Sequence, residues 1–318
     1  MKPRVVSSRC LGFENCRYDG QIIRNRFVES LKSHVEFITV CPEVQIGLGV
    51  PRKRIRVVSD KEGLRLIQPE TDMDFTEQMV EFADGFLDSL GQVDGFILKS
   101  SSPSCGLKDV KMYAGARNAP SKGRGAGFFG ARVLERFSHL ALEDEARLRN
   151  ERIREHFLTK LFTLANFRET GDRGRMRDLV DFHSRNKMLF LAYNQTGMRK
   201  LGRIVANEER REPSELFHEY GEGLGGVLAK GPRTGAGINT MMHALGRFKD
   251  KISPGEKALF LDLLDKYRRG TVCMASPVTL LRSWALSHGD KYLIEQTFLE
   301  PFPEELLVPE ERERDYWG

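Results

Sequence analysis

The chain has 318 residues, 40% of them hydrophobic and 30% charged, with a formal net charge of +5. The length favours two domains over one, and the apolar fraction is enough for buried cores. No apolar stretch approaches the roughly 20 residues needed to cross a bilayer, and the opening MKPRVVSSRC lacks a signal-peptide core, so a cytoplasmic protein is expected. Five cysteines in a chain of this length are too few for a disulfide framework and are expected as ligands, catalytic groups or core filler.

In chain order, PRVVSSR (3–9) reads as a first strand. QIIRNRFVESLKS (21–33) carries helical spacing, with Ile22, Ile23, Phe27 and Leu31 on one face. VEFITV (35–40) is a nearly continuous apolar run of the kind found in buried strands. TEQMVEFADGFLDSL (76–90) predicts a second amphipathic helix with Thr76 as its N-cap. VDGFILK (93–99) predicts a third strand. Strand, helix, strand, helix, strand is the order of a right-handed parallel α/β sheet, a Rossmann-like arrangement. Gly123, Gly125, Gly127 and Gly130 then suggest a flexible loop before a helix at 128–137.

From about residue 140 the β signals nearly vanish. Residues 140–165 read as one long helical pattern, and 178–194, 199–209, 238–252, 254–270 and 276–289 carry helical spacing. Pro254 suits a first turn and Gly270 a C-cap. The expected division is an α/β domain over 1–147 and an all-α domain over 148–318, with PEERERDYWG (309–318) as a frayed tail. Residues 148–294 hold 26 Lys and Arg against 17 Asp and Glu, whereas 295–318 hold 2 against 8. A basic helical domain of this kind could follow a phosphate backbone or could be an Arg-rich solvated surface.

Each predicted strand runs into a cysteine: Cys10 in SSRCLG, Cys41 in TVCPE and Cys105 in KSSSPSCG. In a parallel sheet these three thiols converge on the edge where open α/β sheets bind ligands. Their neighbours are small or turn-forming, so the backbone can approach a bulky inorganic group. Three thiolates with one coordination position left free suit a metal or Fe–S cluster. Three ordinary buried thiols are the plain alternative. Zinc is less favoured, because residues 1–137 contain only His34. Cys16, in the loop of Cys10, could complete a four-thiolate site, form a wall or act as a resolving thiol. Cys273, in an apolar TVCMA run, is expected in the core. His183 and His243 are expected as satisfied helix histidines.

CLG…CRYDG, VCPE, GVPR (49–52) and KSSSPSCG together resemble the TudS-like thiouracil desulfidases over roughly residues 1–145. The resemblance implies a 4Fe-4S cluster held by Cys10, Cys41 and Cys105, with the fourth iron open to the sulfur of a thiolated uracil. It implies acid/base roles for Glu43 and Ser102, and it leaves Cys16 outside the cluster. FHSRNKMLFLAYN, LGRIVAN, PGEKALFLDLLDKYRRG, SPVTLLRSW and YLIEQTFLEPFPEEL resemble the YbgA-like helical domain. The GAGIN segment after Arg233 and Thr234 departs from that pattern by lacking a second polar residue. The two together resemble RudS-type proteins, which implies desulfidation of 4-thiouridine in tRNA.

The chemistry agrees with the resemblance. A thiocarbonyl sulfur is soft and suits an open iron, and a carboxylate beside the cluster can take a proton from an attacking water. C=S is exchanged for C=O with no redox change. Arg17, Asp19 and Lys99, in or beside the motif loops, are candidates for substrate contacts or local ion pairs. Arg185, Lys187, Lys200, Arg203, Arg233 and Arg247 are candidates for tRNA phosphates. Rival expectations are a desulfidase of free thiouracil or thiouridine nucleotides, and a non-catalytic Fe–S RNA-binding regulator in which Cys16 closes the cluster.

Overall fold

The computed structural model describes residues 2–61 and 63–307; the tail at 309–318 lies outside them. The chain forms two compact units, one of residues 2–157 with 305–307 and the other Leu158–Glu304.

The first unit contains two sheets. The strands β1 (Arg4–Ser8), β2 (Glu36–Val40), β6 (Gly95–Leu98) and β9 (Ala141–Asp144) form a sheet in the order β2-β1-β6-β9. Every pairing in it is parallel, with Val5 opposite both Phe37 and Gly95, and Phe96 opposite Leu142. The helices between these strands are α1 (Arg26–Leu31), α2 (Pro42–Gln45), α3 (Thr76–Ser89) and α4 (Phe128–Phe137). Val5, Val6, Phe96, Ile97 and Leu98 are fully buried in its core, which accounts for the uninterrupted apolar runs.

The second sheet is mixed and was not evident in the sequence. Its strands are β3 (Arg56–Ser59), β4 (Leu64–Gln68), β5 (Met73–Asp74), β7 (Val110–Tyr113) and β8 (Ser121–Gly125), ordered β5-β4-β3-β7-β8. Only β3 and β7 pair in parallel; the other pairings are antiparallel.

Several elements differ from the expectation. The predicted helix over 21–33 is only Arg26–Leu31, because the Asn25 side chain accepts the Val28 N–H and starts it late. Ile23 instead donates its N–H to the Cys10 carbonyl at 2.8 Å, holding that stretch against the Cys10 loop. Helix α3 starts at Thr76, with Phe75 as its N-cap; the Thr76 hydroxyl accepts the Leu66 N–H at 2.8 Å rather than capping. The helical pattern over 140–165 hides β9, which Asp144 ends by accepting the N–H groups of Ala146 and Arg147. The glycine-rich loop is ordered: Gly123 and Gly125 lie in β8, Gly127 caps α4 and Gly130 lies within it.

Helix α5 (Glu151–Arg173) leads into the second unit. There α6 (Met176–Tyr193), α7 (Gln195–Ala206), α8 (Pro213–Val227), α9 (Thr234–Leu245), α10 (Pro254–Arg269), α11 (Ala275–Ser287) and α12 (Lys291–Ile294) follow, with no strand among the described residues. The expected helices are present. In α10, Ser253 and Glu256 form a capping box, Pro254 sits in the first turn and Gly270 ends the helix at φ 77°. One helix, α8, is additional. Its four glycines argue against a helix on propensity, yet close packing requires at least one of them. A Cβ on Gly223 would stand 2.8 Å from Leu201 Cδ2. The core gathers Met241, Phe248, Phe260, Leu281, Trp284 and Leu293, all of them buried.

Candidate functional site

The C-terminal ends of all four strands of the parallel sheet deliver chemistry to one place. After β1 come Cys10 and Cys16; after β2 come Cys41 and Glu43; after β6 comes the Lys99–Cys105 loop; Glu145 follows β9. Cys10, Cys16, Cys41 and Cys105 line a single cavity of about 320 Å³ together with Glu43 and Ser102. This is where an open parallel sheet is expected to bind ligands.

The Cys105 loop is held by backbone approach. Gly127 donates its N–H to the Gly106 carbonyl at 2.8 Å, Phe128 to Pro103 at 3.1 Å and Gly130 to Ser104 at 3.0 Å. A Cβ on Gly127 would come within 2.7 Å of the carbonyl oxygens of Ser102 and Pro103 and 2.6 Å of that of Ser104. Only glycine lets the start of α4 sit against this loop.

The four thiols differ in surroundings. Cys10 is half-buried, and Cys16, Cys41 and Cys105 are buried. The Cys16 thiol lies against the thiols of both Cys10 and Cys41. Contact with Cys10, then burial, pushes Cys16 up to about 11 despite an opposing bond with Cys41. Contact with Cys16 and burial push Cys41 up further. Burial pushes Cys105 up to about 12. Metal ligation here is therefore coupled to proton release.

Among the described residues, no three His, Cys, Asp or Glu side chains are drawn together around a single ion. A multi-iron cluster has a wider cradle, because its thiolates bind different irons. An all-sulfur donor set without histidine fits such a cluster better than a hard cation.

Beside the thiols lies a buried hydrogen-bond network. Arg52 Nε donates to Glu43 Oε2 at 2.7 Å, with the side chains only 4% and 12% exposed. Arg52 Nη1 also donates to the carbonyls of Cys16 and Gly49 at 2.9 and 3.0 Å. Ser104 donates to Glu43 Oε1 at 2.7 Å and pairs with Ser102 Oγ at 3.0 Å. Ser102 Oγ accepts the Cys105 N–H at 3.1 Å. On the other side, Lys99 Nζ donates to Glu145 Oε1 at 2.6 Å, and Glu145 accepts from the Ser100 N–H and hydroxyl. Arg17 and Lys99 line the cavity, whereas Asp19 stands outside the lining and pairs with Arg17 at 3.4 Å. Arg9 and Arg54 add further positive charge, and Glu43 is the one carboxylate in the lining.

Arg52, Ser104, Glu145, Tyr18 and Arg54 had no assigned role in the sequence. Arg52 lay inside the GVPR motif and Ser104 inside SPSC, which is the only signal that pointed to them. Arg54 Nη2 donates to the Tyr18 hydroxyl at 2.8 Å while its guanidinium sits over the ring.

The basic candidates of the second unit are dispersed. Lys200 and Arg203 line an open groove of about 880 Å³ between α7 and α8, which also holds Arg211, Glu219 and Glu222. Lys187, Lys200, Arg203 and Arg233 are exposed. Arg185 pairs with Asp181 at 2.9 Å. Arg247 is committed to the buried carboxylate of Asp290 at 2.9 Å and stacks on Tyr292. His183 is a satisfied helix histidine, its Nδ1 2.9 Å from the buried Tyr220 hydroxyl. His243 is exposed. Cys273 is exposed rather than in the core, because TVCMA is the turn between α10 and α11.

Comparison with known proteins agrees with this division. Residues 5–145 match the family model described as 2-thiouracil desulfurase, and residues 187–303 match a protein of unknown function, DUF1722. The uncharacterized protein YbgA of Escherichia coli is 28% identical over 155 residues, 48% of this chain and 92% of that protein. The uncharacterized protein YbbK of Bacillus subtilis is 28% identical over 109 residues, 32% of this chain and 72% of that protein. A solved structure of the [4Fe-4S]-dependent thiouracil desulfidase TudS is 28% identical, with a TM-score of 0.37, over 46% of this chain and 93% of that one. No described helix is long and apolar enough to cross a membrane. The chain thus carries a 2-thiouracil desulfurase domain, an enzyme module, over residues 5–145, joined to a YbgA-like DUF1722 domain over residues 187–303.

Proposed function

We propose that this chain exchanges the sulfur of 4-thiouridine in tRNA for oxygen, using a 4Fe-4S cluster held by Cys10, Cys41 and Cys105 with one iron open. The convergence of four thiols with Glu43 and Ser102 on one cavity carries this reading. When bound, the cluster supplies a soft position for a thiocarbonyl sulfur. Glu43 is the proton acceptor for the attacking water, and Arg52 and Ser104 hold its two oxygens in place. The cationic lining complements an anionic nucleotide. Lys187, Lys200, Arg203 and Arg233 are proposed to grip tRNA phosphates, Arg185 and Arg247 contributing less because each already has a carboxylate partner. The test is anaerobic reconstitution followed by incubation with thiolated tRNA and with 4-thiouridine monophosphate, watching the near-ultraviolet thiocarbonyl band. Loss of the band on tRNA supports the reading; loss on the monophosphate alone moves the substrate to free nucleotides.

The contact of Cys16 with Cys10 and Cys41 favours one second reading, a closed four-thiolate cluster in an RNA-binding regulator. In that case Cys16→Ala loses the cluster and no thiolated compound is turned over.

A further inference from the structure

Ser104 stands between the two residues with expected acid/base roles. It is 1% exposed, and its hydroxyl, not that of Ser102, is the one bonded to Glu43. The direction of each bond follows from the groups themselves. A carboxylate oxygen accepts, so Ser104 donates its only proton to Glu43 Oε1. The bond between the two serines must then be donated by Ser102. Ser102 Oγ already accepts from the Cys105 N–H, which leaves one lone pair for a donor in the cavity that Ser102 lines. The path therefore runs one way, from the cavity through Ser102 and Ser104 to Glu43. Its far end is fixed, because Arg52 occupies Glu43 Oε2 and is itself anchored on the carbonyls of Cys16 and Gly49.

We propose that Ser104 is the relay that connects Ser102 to Glu43. The proposal rests on the desulfidation reading. As the attacking water loses a proton to Ser102 Oγ, Ser102 passes its own to Ser104 Oγ and Ser104 passes its own to Glu43 Oε1. One O–H bond breaks in the water and one forms on Glu43, and both serine hydroxyls are regenerated. The water oxygen bonds the ring carbon, sulfur leaves as sulfide with the C–S electrons, and the proton on Glu43 returns along the same path to neutralise it. Ser104 acts through Glu43 and Ser102 and is a positioning residue.

The experiment compares wild type, Ser104→Ala, Glu43→Gln, their double variant and Ser104→Thr after anaerobic reconstitution. The readouts are iron content, visible absorbance, calorimetric binding of uridine monophosphate, and single-turnover rates on 4-thiouridine monophosphate and thiolated tRNA in mixtures of light and heavy water. Ser104→Ala is expected to keep the cluster and nucleotide binding while losing about 100-fold in rate, the scale of one acid/base group. The double variant is expected to be no slower than the slower single variant, because one path is already cut. Ser104→Thr, which keeps the hydroxyl, is expected to recover most of the rate. The wild-type rate is expected to curve with the fraction of heavy water, since more than one proton moves together. A Ser104→Ala rate within about threefold of wild type, losses that multiply in the double variant, or a linear dependence on heavy water overturns the relay. If Ser104→Ala fails to hold the cluster, the heavy-water dependence of the wild type decides. A wild type inert on every thiolated uracil compound overturns the functional reading and the relay with it, whereas an active wild type indifferent to Ser104 overturns the relay alone.

Discussion

Replacing Arg52 with Leu should destabilise the first unit more than any surface substitution. Its guanidinium is 4% exposed and meets Glu43, 12% exposed, at 2.7 Å. At that separation and an effective dielectric of about 20, the gross attraction is about 6 kcal/mol, much of it offset by the cost of drying both charges. Removing one partner leaves the other charge buried without its counter-ion, at about 3–5 kcal/mol. The carbonyls of Cys16 and Gly49 also lose a donor each. Ser104 still satisfies the other carboxylate oxygen, so the lower end, about 3 kcal/mol, is expected. The buried thiols of Cys16, Cys41 and Cys105 give a local assay. Their labelling by a disulfide reagent in cluster-free protein reports opening of this unit, and about 3 kcal/mol should speed it roughly 150-fold. Adding Glu43→Leu should restore most of the loss, since both polar partners are then gone. Labelling within fivefold of wild type in Arg52→Leu, or a double variant weaker still, would refute the reasoning.

Replacement of Cys10, Cys41 or Cys105 by Ala should abolish the brown chromophore on reconstitution, whereas Cys16→Ala should retain it with turnover; iron and sulfide analysis checks both. Paired removal of Lys200 and Arg203, which share one groove, should weaken tRNA binding and lower the slope of log affinity against log salt by about 2, read by fluorescence titration at several ionic strengths; an unchanged slope would place the RNA elsewhere. Burial, then the Lys187 charge, lowers His183 from 6.5 to about 4. The unfolded chain therefore binds the proton first as pH falls, so stability of the second unit should be fully present above 6.5 and drop between 6.5 and 4. His183→Gln should flatten that window in urea unfolding followed by Trp284 fluorescence.

The parallel sheet was legible because its strands are buried on both faces and read as apolar runs, each ending at a site residue. The helices of the second unit were legible because their period of 3.6 extends over three or more turns. The second sheet was not, since β3 and β7 have four residues each and β8 contains two glycines; such segments become strands only by pairing. Helix α8 was hidden by glycines whose purpose is contact with Leu201.

At the site, residue type and post-strand position were enough to single out the three cysteines, Glu43 and Ser102. The sequence by itself did not determine which groups surround them. Ser104 meets Glu43 across 61 residues of chain, and Lys99 meets Glu145 across 46. Cys16 reaches Cys10 and Cys41 only because the loop from Cys10 folds back under Ile23. Composition and spacing describe what a residue can do locally. The partner that holds it, the burial that strengthens the bond and the direction in which a proton can pass are properties of groups far apart in sequence, and only the tertiary structure decided them.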